Sequence, residues 1–179
     1  KLCQAEDIAS TQVNLATTAA GIGSYEVTVT PGALTASAGD FAEGYLIVND
    51  VTGEGMTYKI AEAPAVTAST AFTVKLYDPL VVALASTSQC CVIKNPWQDV
   101  VIAGANQDNL SVGIPTITVA AGSTTKNYGW VQTWGICAGW DDDVTAIGAG
   151  LTSGTTAGQI EINGGTDQPI GVQLYTGVA

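Results

Sequence analysis

Apolar and polar positions alternate in short bursts along this chain, and each burst ends at a turn signal. Tyr25 to Thr30 reads YEVTVT and stops at Pro31-Gly32. Strict period-two alternation of this kind places one face of a strand on a core and the other in solvent. Gly44 to Val48 stops at Asn49-Asp50, and Met56 to Ile60 follows the turn Thr52-Gly53-Glu54-Gly55, so the two runs predict a hairpin with a loop longer than two residues. Ala71 to Tyr77 is the next strand, ended by Asp78-Pro79, and Leu80 to Ala85 reads as a further strand or a buried turn of helix. Gln89 to Lys94 and Asp99 to Ala103 flank an Asn95-Pro96-Trp97 corner.

The second half continues with Ile117 to Ala120, Tyr128 to Ile136 as the strongest strand, Gln159 to Ile162 and Ile170 to Tyr175. Turn signals every 8 to 12 residues or so are the mark of sandwiches and barrels. The expected class is therefore all-β, built from small β-barrel and/or β-sandwich modules with an extended N-terminal arm. Residues 1–23, rich in Ala, Thr and Ser and without clean period, form that arm, a short helical turn at Ala5 to Ser10 being an option. A first β-rich module over 24–104 and a second over 105–179 are expected, with the boundary near Pro96 to Asn109 around the polar loop GANQDN; one continuous domain over 24–179 also fits.

Charge narrows the chemistry. The chain has no histidine and no arginine, five lysines and sixteen acidic residues, for a net charge of −11. A neutral-pH proton shuttle, a phosphate clamp and a nucleic-acid footprint all need groups that this composition lacks. No enzyme activity, catalytic residue, cofactor or metal is expected. Ser and Thr are plentiful, but no histidine exists to activate them and no G-x-S-x-G elbow is present. The longest apolar run, Leu80 to Ala85, is strand-sized, so neither nucleic acid nor membrane is an expected partner. Only 12% of residues are charged, and a surface so poor in solvating groups favours an assembled state.

Cys3, Cys90, Cys91 and Cys137 are expected to be free thiols serving as small core residues. Cys90 and Cys91 are strand neighbours facing opposite ways, which disfavours a bond between them. Lys59, Lys75 and Lys94 sit singly on strands, where lysines guard edges or pair with carboxylates on the next strand.

Trp97, Trp130, Trp134 and Trp140 fall within 44 positions of an aromatic-poor chain. On a strand, Tyr128, Trp130, Gln132 and Trp134 would share one face. That stripe reads as packing against a neighbouring sheet or subunit, with a sugar-stacking platform as the alternative. Asp141, Asp142 and Asp143 could ligate calcium, but without EF-hand spacing they read as a solvated acidic loop.

Two stretches carry a resemblance. GYLIVNDVTGEGMTYKI is followed by AFTVKLYDPL and KNPW, and NYGWVQTWGICAGW by a Gly/Thr-rich segment ending in IGVQLYTGVA. This order resembles virion structural proteins of tailed bacteriophages over roughly Tyr25 to Ala179. The resemblance implies a capsid decoration (cement) protein on the outer capsid surface, assembled in the bacterial cytoplasm. Its implied partners are the major capsid protein and copies of itself, as a homotrimer. Where the family pattern has proline after QTWG, this chain has Ile136-Cys137, so the local turn differs. A carbohydrate-binding adhesive module, or a tail-tube or baseplate protein, are the alternatives.

Overall fold

A computed structural model describes residues 1–5, 12–104, 110–118, 128–142, 146–165 and 168–174. The fold is all-β, with antiparallel sheets and no helix among the described residues. The chain forms two units, one of Ile8–Asn95 and one in which Lys1–Asp7 joins Pro96–Ala179.

The first strand, β1 (Cys3–Gln4), belongs to the second of these. The unit of Ile8–Asn95 holds β2 (Leu15–Thr17), β3 (Glu26–Thr30), β4 (Tyr45–Asp50), β5 (Thr57–Glu62), β6 (Phe72–Leu76) and β7 (Gln89–Ile93). These close into a barrel in the order β2-β3-β6-β5-β4-β7, with β7 returning to β2. Alternation explains the closure, because every second side chain points inward. Val27 and Val29 of β3, Leu46 and Val48 of β4, Ile60 of β5, Val74 of β6 and Val92 of β7 are wholly buried. Cys90 points in and Cys91 does not.

Two register shifts, between Val48 and Asp50 where β4 meets β7 and between Ile60 and Glu62 where β5 meets β6, supply local bend. The connections fill the interior. Phe41 and Leu80 are 1% exposed, and Leu34 and Leu84 are buried beside them. Residues 80–85 are therefore neither strand nor helical turn: Leu80 and Leu84 are plugs, and the segment's β contact is a single bridge from Leu84 to Ala20. Two of its residues fill the barrel while Val81 is 64% exposed, so the run is not the alternating face of a strand. Two buried hydroxyls, those of Thr17 and Ser88, are matched as well. The Thr17 hydroxyl donates to the Ser88 carbonyl at 3.0 Å, and the Ser88 hydroxyl donates to the Thr52 carbonyl at 2.7 Å.

Two lysines pair as strand lysines should. Lys75 meets Glu62 of the neighbouring strand at 2.8 Å, and Lys59 meets Glu43, just before β4, at 2.7 Å. The Tyr77 hydroxyl also donates to Glu43, and these two bonds hold the Glu43 carboxyl below the usual range. All of these groups are exposed, so they trim the surface and contribute little to stability.

The other unit contains β8 (Val101–Ile102), β9 (Ser111–Pro115), β10 (Val131–Gln132), β11 (Gly150–Ser153), β12 (Ile160–Ile162) and β13 (Gly171–Val172). One sheet has the order β10-β9-β1-β8 and the other β12-β11-β13. Leu2, Ala103, Leu151 and Ile160 form its small core, with Ile114 and Ile170 against it.

Residues 1–23 are therefore not a free arm. Leu2 is 3% exposed, β1 is an inner strand, and β2 completes the barrel. The division between the two units falls at Asn95/Pro96, where the chain leaves the barrel. The stretch from Tyr128 to Ile136 is strand only at Val131–Gln132. Ile117 follows β9 instead of opening a strand. Residues 6–10 of the turn considered at Ala5 to Ser10, most of GANQDN, residues 119–120 and Tyr175 lie outside the described residues.

Barrel closure depends on close backbone approach at Gly44, where an added Cβ would lie 2.1 Å from the Ile93 carbonyl oxygen on β7. Gly44→Ala must push β4 and β7 apart and should cost about 1–3 kcal/mol, read as a lower urea midpoint for the barrel. Gly32 has open space around it, and Gly32→Ala should leave that midpoint unchanged or slightly higher.

Candidate functional site

The site is the run from Tyr128 to Asp142, held at its start by β10. Val131 and Gln132 pair with Pro115 and Ile114 of β9, and the Thr116 amide donates to the Trp130 carbonyl at 3.2 Å. The strands meet closely: a Cβ on Gly113, whose φ is +136°, would lie 2.3 Å from the Gln132 carbonyl oxygen.

Beyond Gln132 the chain turns. The Gln132 side-chain amide donates to the Trp134 carbonyl at 3.1 Å and to the Ile136 carbonyl at 2.9 Å, and Gly135 takes a φ of +93°. Gln132 thus folds the following residues into a loop, and the expected one-faced stripe of Tyr128, Trp130, Gln132 and Trp134 is not formed by a continuous strand.

The rings themselves project into solvent. Tyr128 is 88%, Trp130 84% and Trp134 92% exposed, with Ile136 at 83% beside them. At about 150–250 Å² per aromatic side chain, the three rings together leave on the order of 500 Å² of largely apolar surface uncovered. No charged residue occurs from Tyr128 to Trp140. Trp97 and Trp140 are also more than half exposed, Trp97 lying outside this segment at the start of the unit. Ile136 and Cys137 add to the exposed segment.

The far end is anchored. The Ile160 amide donates to the Trp140 carbonyl and the Asp142 amide to the Ile160 carbonyl, both at 2.8 Å. Lys1 Nζ lies 5.6 Å from the centre of the Trp140 ring, within cation–π range. Asp142 Oδ2 accepts from the Thr155 hydroxyl and the Thr156 amide, each at 2.8 Å, and Glu161 accepts from the Thr155 amide at 3.1 Å. Asp142 is a structural acceptor pinning the 155–156 turn. Asp143 lies outside the described residues. Among the described residues, no group of three or more His, Cys, Asp or Glu is placed to hold a metal ion.

The four cysteines are free. Burial pushes the Cys90 thiol up to about 12, with the neighbouring Cys91 adding to the effect. Cys3 is half-buried in β1, and burial raises its thiol as well. Cys137 is exposed, so it is not a core residue, and it is more accessible than Cys3. The exposed run from Tyr128 to Trp140 carries no charged side chain. It offers flat apolar faces for packing or stacking. Compared with known proteins, the chain matches no family model, no curated protein and no solved structure.

Two outcomes follow for the site. The Thr155 and Thr156 bonds hold the Asp142 carboxyl below the ordinary aspartate range, so its contribution is present above that range and lost as pH falls through its lowered folded value. Carboxyl NMR should give Asp142 a midpoint below that of a free aspartate, and Thr155→Val should raise it. Maleimide at pH 7.5 should label Cys137 first, while Cys90 reacts only after unfolding; mass mapping of labelled peptides reads the order.

Proposed function

We propose that this chain is a structural protein of a phage virion that decorates and stabilises the outer capsid surface through subunit contacts. One observation supports it above the rest: a charge-free segment that leaves Trp134 92% exposed in an otherwise acidic chain. Apolar surface of this size is costly in water and is removed by burial against a partner. The partners in this reading are the major capsid protein and further copies of the chain, as a homotrimer.

Two sequence features support the same reading. The motif order resembles phage virion proteins, and a net charge of −11 suits a surface facing away from packaged nucleic acid. Lacking histidine and arginine, the chain works by contact in this proposal, not by catalysis. The exposed rings favour one second reading, stacking on a surface polysaccharide, in which the same residues serve adhesion.

Quantitative mass spectrometry of purified particles tests the proposal. Hundreds of copies per head are expected, and a count of a few, or a location on the tail alone, overturns it. Trp130→Ala with Trp134→Ala should weaken retention on heads by about 30-fold or more, the effect of losing about 2 kcal/mol at an interface hot spot. Host polysaccharide binding that vanishes in the same variant, with retention unchanged, would establish the second reading instead.

A further inference from the structure

The route of the chain singles out β1. Leu2 and Gln4 are buried in a unit whose remaining residues begin only at Pro96, and the whole barrel lies between them in sequence. β1 fills a slot between β8 and β9 and pairs antiparallel with both. The Leu2 amide donates to the Gly158 carbonyl at 2.7 Å, the Ala103 amide to the Leu2 carbonyl at 3.0 Å, and the Ala5 amide to the Leu110 carbonyl at 2.9 Å. Gln4 Oε1 accepts from the Gly104 amide at 3.2 Å, and Leu2 inserts among Ala103, Leu151 and Ile160.

From these observations we infer that β1 is exchangeable between copies, the β8–β9 slot of one copy taking Lys1–Ala5 of a second copy. The occupant is fixed by complementarity, since an identical strand restores each bond and the Leu2 contact. Such exchange of an identical element is a low-cost route to assembly because bonded and packed groups are the same in both states. What decides between the states is concentration. Nine residues separate Ala5 from Leu15, a link able to span roughly 30 Å. That link joins β1 to the barrel, whose chain continues to the slot from Pro96, so the strand stays tethered to its own copy at an effective concentration on the order of millimolar. In dilute solution the copy's own strand therefore wins, whereas copies held side by side on a surface compete on equal terms. The inference supplies a means of joining copies in the coat proposed above, and rests on that proposal only for its setting.

The register provides a test. Cys3 is directly opposite Ile102 of β8, and directly opposed antiparallel residues are within disulfide reach. An Ile102→Cys chain, also carrying Cys137→Ser to remove the exposed thiol, is refolded at micromolar and at several-millimolar concentration. Oxidised glutathione then closes the new pair, with Cys137→Ser alone as control. Isotope-light and isotope-heavy chains are mixed in the unfolded state, so that mixed-isotope linked peptides report bonds between copies. The expected result is bonds within one chain at micromolar concentration and mixed-isotope bonds, with a dimer band or ladder on a non-reducing gel, at millimolar concentration. Exclusively single-isotope bonds at every concentration would overturn the exchange. Should Ile102→Cys fail to fold, Gln4→Cys with Val101→Cys, the next pair in the same register, is read by the same criterion. Both measurements use free protein, so they can fail or succeed independently of the copy number on particles.

Discussion

Everything in the barrel depends on one short pairing, that of β2 with β7. Leu15 lies opposite Cys90 and Ala16 opposite Gln89, while the other edge of β2 is taken by β3. Were those three residues elsewhere, β3 and β7 would each present an open row of backbone groups, the condition that invites uncontrolled strand addition. Leu15 and Thr17 would also leave the interior, and the Thr17 hydroxyl would no longer meet Ser88. Gln12 reinforces the join, its side-chain amide donating to the Val92 carbonyl at 3.2 Å from a buried position.

That strand was not legible from residue pattern, and the reason is physical. Alternation needs four or more residues to show, and Leu15-Ala16-Thr17 offers three, following Asn14 at a positive φ. β1 is shorter still. β9 is interrupted by Gly113 and Pro115, and β11 hides behind polar side chains, because buried Thr152 and Ser153 are satisfied by the Gln168 and Gly104 carbonyls. By contrast, β3, β4, β5, β6 and β7 each bury alternate residues along five or six positions, and the sequence pattern located all five.

The aromatic segment shows the converse error. Tyr128, Trp130, Val131 and Trp134 have high strand propensity, which is a preference for a packed pleated surface and not for the backbone shape alone. With no neighbouring sheet covering the rings, and with Gly135 and the Gln132 amide favouring a loop, the ladder stops after Gln132. Periodicity put Tyr128, Trp130, Gln132 and Trp134 on one strand face, a face the loop after Gln132 does not form. Cys137, expected as a small core residue, is likewise exposed.

The unequal path of the two units also orders events at the ribosome. The barrel's residues are contiguous, so it can close as soon as β7 emerges. Lys1–Asp7 must wait for a site whose other walls are still unsynthesised, and at about 5–20 residues per second the intervening stretch from Ile8 to Asn95 takes on the order of 4–20 s. Throughout that interval the first strand is nascent chain without a home, available to chaperones or to a neighbouring polypeptide on the same message.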